Sequence, residues 1–413
     1  MSEPARTRRG AFAGIAIAVA TTVCGVLPVF LAGSLSVQAN ADLGLTAAIL
    51  GIVIAVFWAS SSVFSRPAGR IAERWGVRPT LMLTVGLAFV AMVGVAFASP
   101  SWPWFALWML VAGAANGFGH PPSNALILAT VRSTFTGTAF GIKQAAIPIS
   151  TLCAGIAVPL IALTLGWRAT FIVGAALCAL TLLAIGLFVP ALEARRRAGK
   201  GDGITGTLRT YFLLMAVSGF LGVAQANVIG GFTVQTAVER GFGPAEAGFI
   251  VVGASIAGIV VRIAVGMAAD RGLGGTMRTV AVMLLLGAVG LGGIAYGSGP
   301  VFIAGCVLAF GAGWGWNGLV HYTIAQRAGA FTASATGLVQ GGAYAGGAVG
   351  PLLFGFLGTQ AGLGVGWAVA AGCAVASGVA AYLASRLEGG LSLPGSRTTG
   401  PAGPPRSSQP RRR

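Results

Sequence analysis

Few side chains in this sequence are equipped for chemistry, and most of them recur at one spacing. The only two histidines, His120 and His321, each stand four residues after an asparagine, Asn116 and Asn317. Four residues is close to one helical turn, so each Asn and His share a helix face. Imidazole titrates near neutral pH, so each pair could hold a polar solute and also carry a proton. Lys143 and Gln144 interrupt one apolar run, and Gln340 and Tyr344, again four apart, interrupt another. An ammonium in an apolar run must find an anion or lose its charge. Counting 1.5 Å per residue from the start of its run, Lys143 lies roughly 10 to 12 Å deep.

The acidic residues supply no partner for it. All nine, Glu3, Asp42, Glu73, Glu193, Asp202, Glu239, Glu246, Asp270 and Glu388, map to loops, tails or run ends. An anionic ligand is then the natural partner of Lys143, and an organic cation has nothing to bind. Plainer roles stay open. Lys143 could snorkel to a headgroup layer, the histidines could pack helices in two copies of one ancestral unit, and the glutamines could bridge helices. No nucleophile paired with a base, no phosphate loop and no metal-ligand spacing occurs, so the reading is a protein that is not an enzyme and needs no metal or cofactor. The five cysteines, all within apolar runs, read as packing residues.

The elements that must position these residues follow from composition. Of 413 residues, 55% are hydrophobic and 8% charged, and the mean hydropathy is +0.85. A soluble chain carries about a quarter charged residues. The apolar residues come in long runs and not in alternating segments, which excludes a transmembrane barrel and leaves membrane-spanning helices. Breaks at charged or Pro/Gly-rich junctions place these near 11–37, 44–65, 79–99, 103–130, 136–163 and 168–189, then 209–237, 244–268, 276–297, 300–326, 332–359 and 363–386. The expected organisation is a six-helix bundle over 1–190, a linker over 191–208, a second bundle over 209–388 and a disordered basic tail over 389–413.

Of the 26 lysines and arginines, only Arg168 and Arg240 fall on one side of these spans, and Lys143 and Arg262 fall within them. Basic loops stay in the cytoplasm, so both termini are expected inside a cytoplasmic membrane. The net charge of +17 therefore reflects topology and contact with anionic lipid, not nucleic acid.

The two halves share local patterns at an offset of about 200 residues. Gly69-x-x-x-Glu73-Arg74 recurs as Gly266-x-x-x-Asp270-Arg271, Asn116-Gly-x-x-His120 as Asn317-Gly-x-x-His321, and Gly141-x-x-Gln144 as Gly337-x-x-Gln340. Parallel repeats of this kind are found in secondary transporters. The loop Gly69-Arg-Ile-Ala-Glu73-Arg74-Trp-Gly-Val-Arg78 resembles the Gly-x-x-x-Asp-Arg-x-Gly-x-Arg signature of the major facilitator superfamily, with Glu73 for Asp. The resemblance spans residues 11–386 and implies an all-α membrane protein of twelve helices in two pseudo-symmetric bundles. It further implies that Gly69, Glu73, Arg74, Arg78, Gly266, Asp270 and Arg271 gate one face, unless they are merely solvated loop charges. It also implies that the fourth and tenth helices, with Asn116, His120, Asn317 and His321, line a central cavity.

Two departures weigh against drug efflux. The fourth helix lacks the family's Arg, and Gly346-x-x-x-Gly350-Pro351 stands in the eleventh helix, where the proton-antiport exporters carry that pattern in the fifth. The eleventh helix, with Gly337, Gln340, Tyr344, Gly347 and Pro351, is similar to bacterial cyanate and other small-anion porters. The resulting expectation is a monomeric secondary transporter for a small anionic solute, with H+ as the candidate coupling ion, working by alternating access. Its substrate site would comprise Asn116, His120, Lys143, Gln144, Asn317, His321, Gln340 and Tyr344. Arg66 and Arg262 read as gating or topological residues. Proton-linked export of hydrophobic compounds and a transport-dead membrane sensor are the competing readings.

Overall fold

A computed structural model describes residues 8–131, 136–189, 206–328 and 332–388. In a bilayer interior every backbone N–H and C=O must be paired within the chain, so long apolar runs become helices. Twelve helical rods result among the described residues. They are α1 (Arg8–Ser34), α2 (Ala47–Trp75), α3 (Val77–Phe97), α4 (Trp102–Thr130), α5 (Thr136–Gln144, resuming as Ala146–Ala157 and ending at Leu165) and α6 (Trp167–Phe188). The second set is α7 (Gly206–Glu239), α8 (Pro244–Asp270), α9 (Met277–Tyr296), α10 (Gly299–Leu308, resuming as Asn317–Arg327), α11 (Thr332–Ala361) and α12 (Leu363–Leu387). Ten are long and apolar enough to cross a membrane. The other two, α4 and α11, run for 29 and 30 residues and carry the Asn, His, Gln and Tyr singled out above, which lowers their hydropathy.

The described residues contain no strand. The first rod ends earlier than expected, at Ser34, because the chain turns at Leu35 into a short helix, Ser36–Leu43, which Gly44 terminates at φ 64°. The expected linker lies outside the described residues except for 206–208, where α7 has already begun, and the basic tail lies outside them entirely.

The repeat is visible in the backbone. Gly44, Gly76 and Gly166 have φ of 64°, 87° and 84°, and Gly241, Gly272 and Gly362 have 90°, 76° and 88° at the matching loops of the second half. Only glycine takes such angles without strain. Gly76 and Gly362 each reverse the chain between two helices in a single residue, which accounts for the second glycine of the signature.

We call the face where α1 starts and α12 ends the terminal face, and its opposite the distal face. The halves meet along α1 with α7, α2 with α11, and α5 with α8. The last two contacts are one contact seen twice, since α2 matches α8 and α5 matches α11 in the repeat. Toward the distal face the backbones touch through glycine: a methyl on Gly33 would lie 2.6 Å from the Gly231 carbonyl oxygen, on Gly51 2.5 Å from that of Pro351, and on Gly248 2.6 Å from that of Gly155. Small residues allow this close approach where no hydrophobic effect drives helices together.

Polar ties fix the ends of each half. On the distal face Arg168 donates to Asp42 at 2.5 Å and to the Ser99 carbonyl at 3.1 Å, while Arg240 donates to the Gly297 carbonyl at 2.7 Å. Both basic residues on that side are thus consumed by structure. On the terminal face Glu388 accepts from Tyr211 Oη and from the Met277 amide, each at 3.1 Å, and so satisfies an orphan donor at the start of α9.

Candidate substrate site

The polar cluster forms where α4 and α5 of the first half approach α10 and α11 of the second. Lys143 is buried, 3% exposed, near the end of the first segment of α5. Its Nζ donates to Asn124 Oδ1 on α4 at 2.5 Å. Among the described residues it has no carboxylate partner; the ion pairs there are Arg168 with Asp42 and Arg327 with Glu388, both at the faces. His120 lies within electrostatic reach of Lys143 and His321, and His321 within reach of Lys143, so three nitrogen bases converge from both halves.

Around them the aromatic Tyr344 of α11 packs against the His120 ring at 6.5 Å between centroids and against Trp58 of α2 at 6.3 Å. Tyr344 is buried, and Gln340 lies one turn before it on the same helix. Asn116 donates to Ser61 Oγ at 3.1 Å, and Ser61 in turn donates to the Gly113 carbonyl at 2.9 Å. Asn116 and His120 also border a narrow void with Thr21, Thr22, Gly25 and Gly119, too tight to admit a water. Asn317 opens the second segment of α10, one turn before His321. Gln144 is drawn in through its backbone: its carbonyl oxygen accepts from Arg262 at 2.8 Å.

The expected gating residues lie apart from this cluster. Asp270, at the terminal end of α8, accepts from Thr138 Oγ1 of α5 at 3.3 Å, a contact between the halves. Arg78 donates to the Gly186 carbonyl at 2.7 Å and so ties α3 to α6 within the first half. Arg74 and Arg271 are exposed, and Gly266 has open space beside it. The surroundings of Gly69 and the side chain of Glu73 lie outside the described residues.

Asn124 and Ser61 belong to the cluster and were missed in the sequence. Asn124 had a signal, since Asn116, His120 and Asn124 follow one another at four residues along α4. Ser61 had none, because serines are common in apolar helices. Pro121 and Pro122 do not interrupt α4, which runs through them as one helix.

Two matched half-bundles, closed by paired glycine contacts around a shared polar centre, define an architecture that the sequence pattern now identifies. The pattern of the Major Facilitator Superfamily matches residues 10–333. The chain belongs to the Major Facilitator Superfamily. Relatives of this transporter include monocarboxylate transporter 11 of Homo sapiens, 30% identical over 77% of this chain and 69% of the relative. An uncharacterized MFS-type transporter of Mycobacterium tuberculosis is 28% identical over 73% of this chain and 69% of its own length. Among solved structures, a D-xylose-proton symporter superposes with a TM-score of 0.73 at 14% identity, covering 90% of this chain and 97% of that one. Family and relatives are transporters, and this chain is a multi-pass membrane protein with the same fold.

Proposed function

We propose that this Major Facilitator Superfamily protein carries a small organic anion, with monocarboxylates the first class to test, by alternating access of its two halves. One observation carries the reading. Lys143 is a buried cation held by a neutral amide, with His120 and His321 near it and no carboxylate partner among the described side chains. A buried charge without a counter-charge is costly, and a solute carboxylate would supply that counter-charge. The kinship with a transporter named for monocarboxylates supports the same class.

Proton coupling rests on the histidines, which titrate in the physiological range when unperturbed and sit within reach of the lysine that would hold the anion. The solved structure that shares the fold is that of a D-xylose-proton symporter. With basic loops inside, the terminal face is cytoplasmic, both termini are internal and the chain acts as a monomer within a cytoplasmic membrane. The closed distal seam then makes this conformation one that is shut toward the outside.

The test is counterflow in proteoliposomes of radiolabelled pyruvate, lactate and cyanate, with imposed pH and sodium gradients. Saturable counterflow of a monocarboxylate, stimulated by an inward proton gradient and lost in Lys143→Ala, is expected. Movement of hydrophobic cations in place of anions would transfer the protein to the exporters. Absence of flux for every solute, with ligand binding retained, would make it a sensor.

A further inference from the structure

Two helices are broken at the level of the polar cluster, and one side chain joins the breaks. Pro148 has no N–H, so the carbonyl of Gln144, four residues earlier, receives no helical donor. The chain turns at Ala145 before α5 resumes. In α10 a π-helical turn, Ala309–Gly313, and the turn after it expose further carbonyls. That of Gly313 accepts from Gln225 Nε2 at 2.6 Å and Trp316 Nε1 at 2.8 Å.

Arg262 of α8 takes the rest. Its Nη1 donates to the Gln144 carbonyl at 2.8 Å and its Nη2 to the Trp314 carbonyl at 2.9 Å, with the guanidinium carbon 5.7 Å from the centre of the Trp314 ring. The side chain is 7% exposed, its Nε has no partner, and no carboxylate among the described residues meets it. A planar fork that reaches two carbonyls at once is a property of arginine and not of lysine. Gln144 belongs to the first half, whereas Arg262 and Trp314 belong to the second.

We propose that Arg262 is a positioning residue of the transport cycle. It fastens the second half to the peptide next to Lys143, so that the lysine keeps its place only while the halves are together on this side. The clause on Lys143 rests on the anion reading above; the fastening does not.

Hydrogen exchange of the purified full-length protein tests the fastening without any solute. In Arg262→Gln, amides in residues 138–149 and 258–266 should exchange about tenfold faster, while those of the distal seam, 47–55 and 245–251, keep their rates. Arg262→Lys should fall between, since a single nitrogen cannot span the two carbonyls that Nη1 and Nη2 reach separately. Unchanged exchange in the Gln variant, loosening spread equally over both faces, or a Lys variant equal to the native protein would each overturn it. Counterflow of labelled pyruvate then reads the effect on the site. The half-saturation concentration should rise about fivefold in Arg262→Gln, with partial recovery in Arg262→Lys. A native half-saturation beside accelerated exchange would remove the link to Lys143 and leave the fastening. If the native protein moves no pyruvate, the anion reading fails while the exchange result still stands.

Discussion

Lys143 on α5 and Asn124 on α4 are joined by a 2.5 Å hydrogen bond from Nζ to Oδ1, and both lie in the first half of the molecule. Its counterpart does not exist in the second half, where the residue in register with Lys143 is Val339 and the one in register with Asn124 is Ala325. The duplicated Asn and His pairs are therefore symmetric while the charge is not. Under the proposed function, a solute held by that charge would sit off the pseudo-twofold axis, bound chiefly to one half.

The first prediction follows from that bond. Lys143→Ala should weaken anion binding about 100-fold, and Asn124→Ala about tenfold, since hydrogen bonds to charged groups contribute roughly 1.5 to 3 kcal/mol. Lys143→Arg should keep part of the affinity, because charge survives while geometry changes. Asn124→Asp should abolish binding, as the new carboxylate would occupy the ammonium. Binding measured at matched expression decides it: an Asp variant that binds like the native protein removes Lys143 from the site.

Gating gives the second. Thr138 and Asp270 meet across the halves at the terminal face at 3.3 Å, away from the polar cluster. Replacing Asp270 by Asn, or Glu73 by Gln, should slow maximal transport about three- to tenfold and leave the affinity of a locked state within about twofold. Thr138→Val should mimic Asp270→Asn if the hydrogen bond itself matters. Native rates in both acid variants would show that these are solvated charges at helix ends with no gating role.

The helices, the duplication and the family were legible in the sequence for a physical reason. Apolar runs must become spanning helices, and a polar residue inside one is costly enough to be conspicuous. Helix ends were less so, as at Ser34, where a short polar helix continues the rod in another direction. The role of Gln144 was not legible at all. Its side chain drew attention, yet its carbonyl makes the contact, and that depends on Pro148 four residues on and on an arginine from the other half. Glycine spacing likewise announced close packing but not which pairs would meet; only the folded arrangement sets Gly155 against Gly248.

The third prediction concerns acid stability of the distal cap. The Trp167 indole N–H and the Arg168 guanidinium both donate to Asp42, which holds its carboxyl below the usual carboxylate range. A depressed folded pKa contributes stability above the unfolded value, about 3.9, and that contribution disappears as pH falls through the folded value. The pair is exposed, with side chains 39% and 46% accessible, so the effect is under about 1 kcal/mol. Asp42→Asn should lower the melting temperature slightly at pH 7, and the gap to the native protein should close below about pH 4. A gap that persists at low pH would assign the loss to packing.

The last prediction tests the distal seam. Gly155 and Gly248 face each other so closely that a methyl on either would lie 2.9 Å or 2.6 Å from the carbonyl oxygen opposite. One hydrogen bond nearby, between the hydroxyls of Thr151 and Ser255 at 2.7 Å, holds the same two helices. Backbone cannot retreat as a flexible side chain can, so Gly248→Val must part α5 from α8 on this face. The distal-closed state would lose roughly 1 to 3 kcal/mol, the usual cost of overpacking, and a few kcal/mol is enough to invert a two-state population. Amides in 47–55 and 245–251 should then exchange faster while those of 258–266 do not. Gly253→Val, at a position on the same helix with open space beside it, is the control and should behave as the native protein. Equal exchange in the two variants would mean that the glycine contact does not hold the distal face shut.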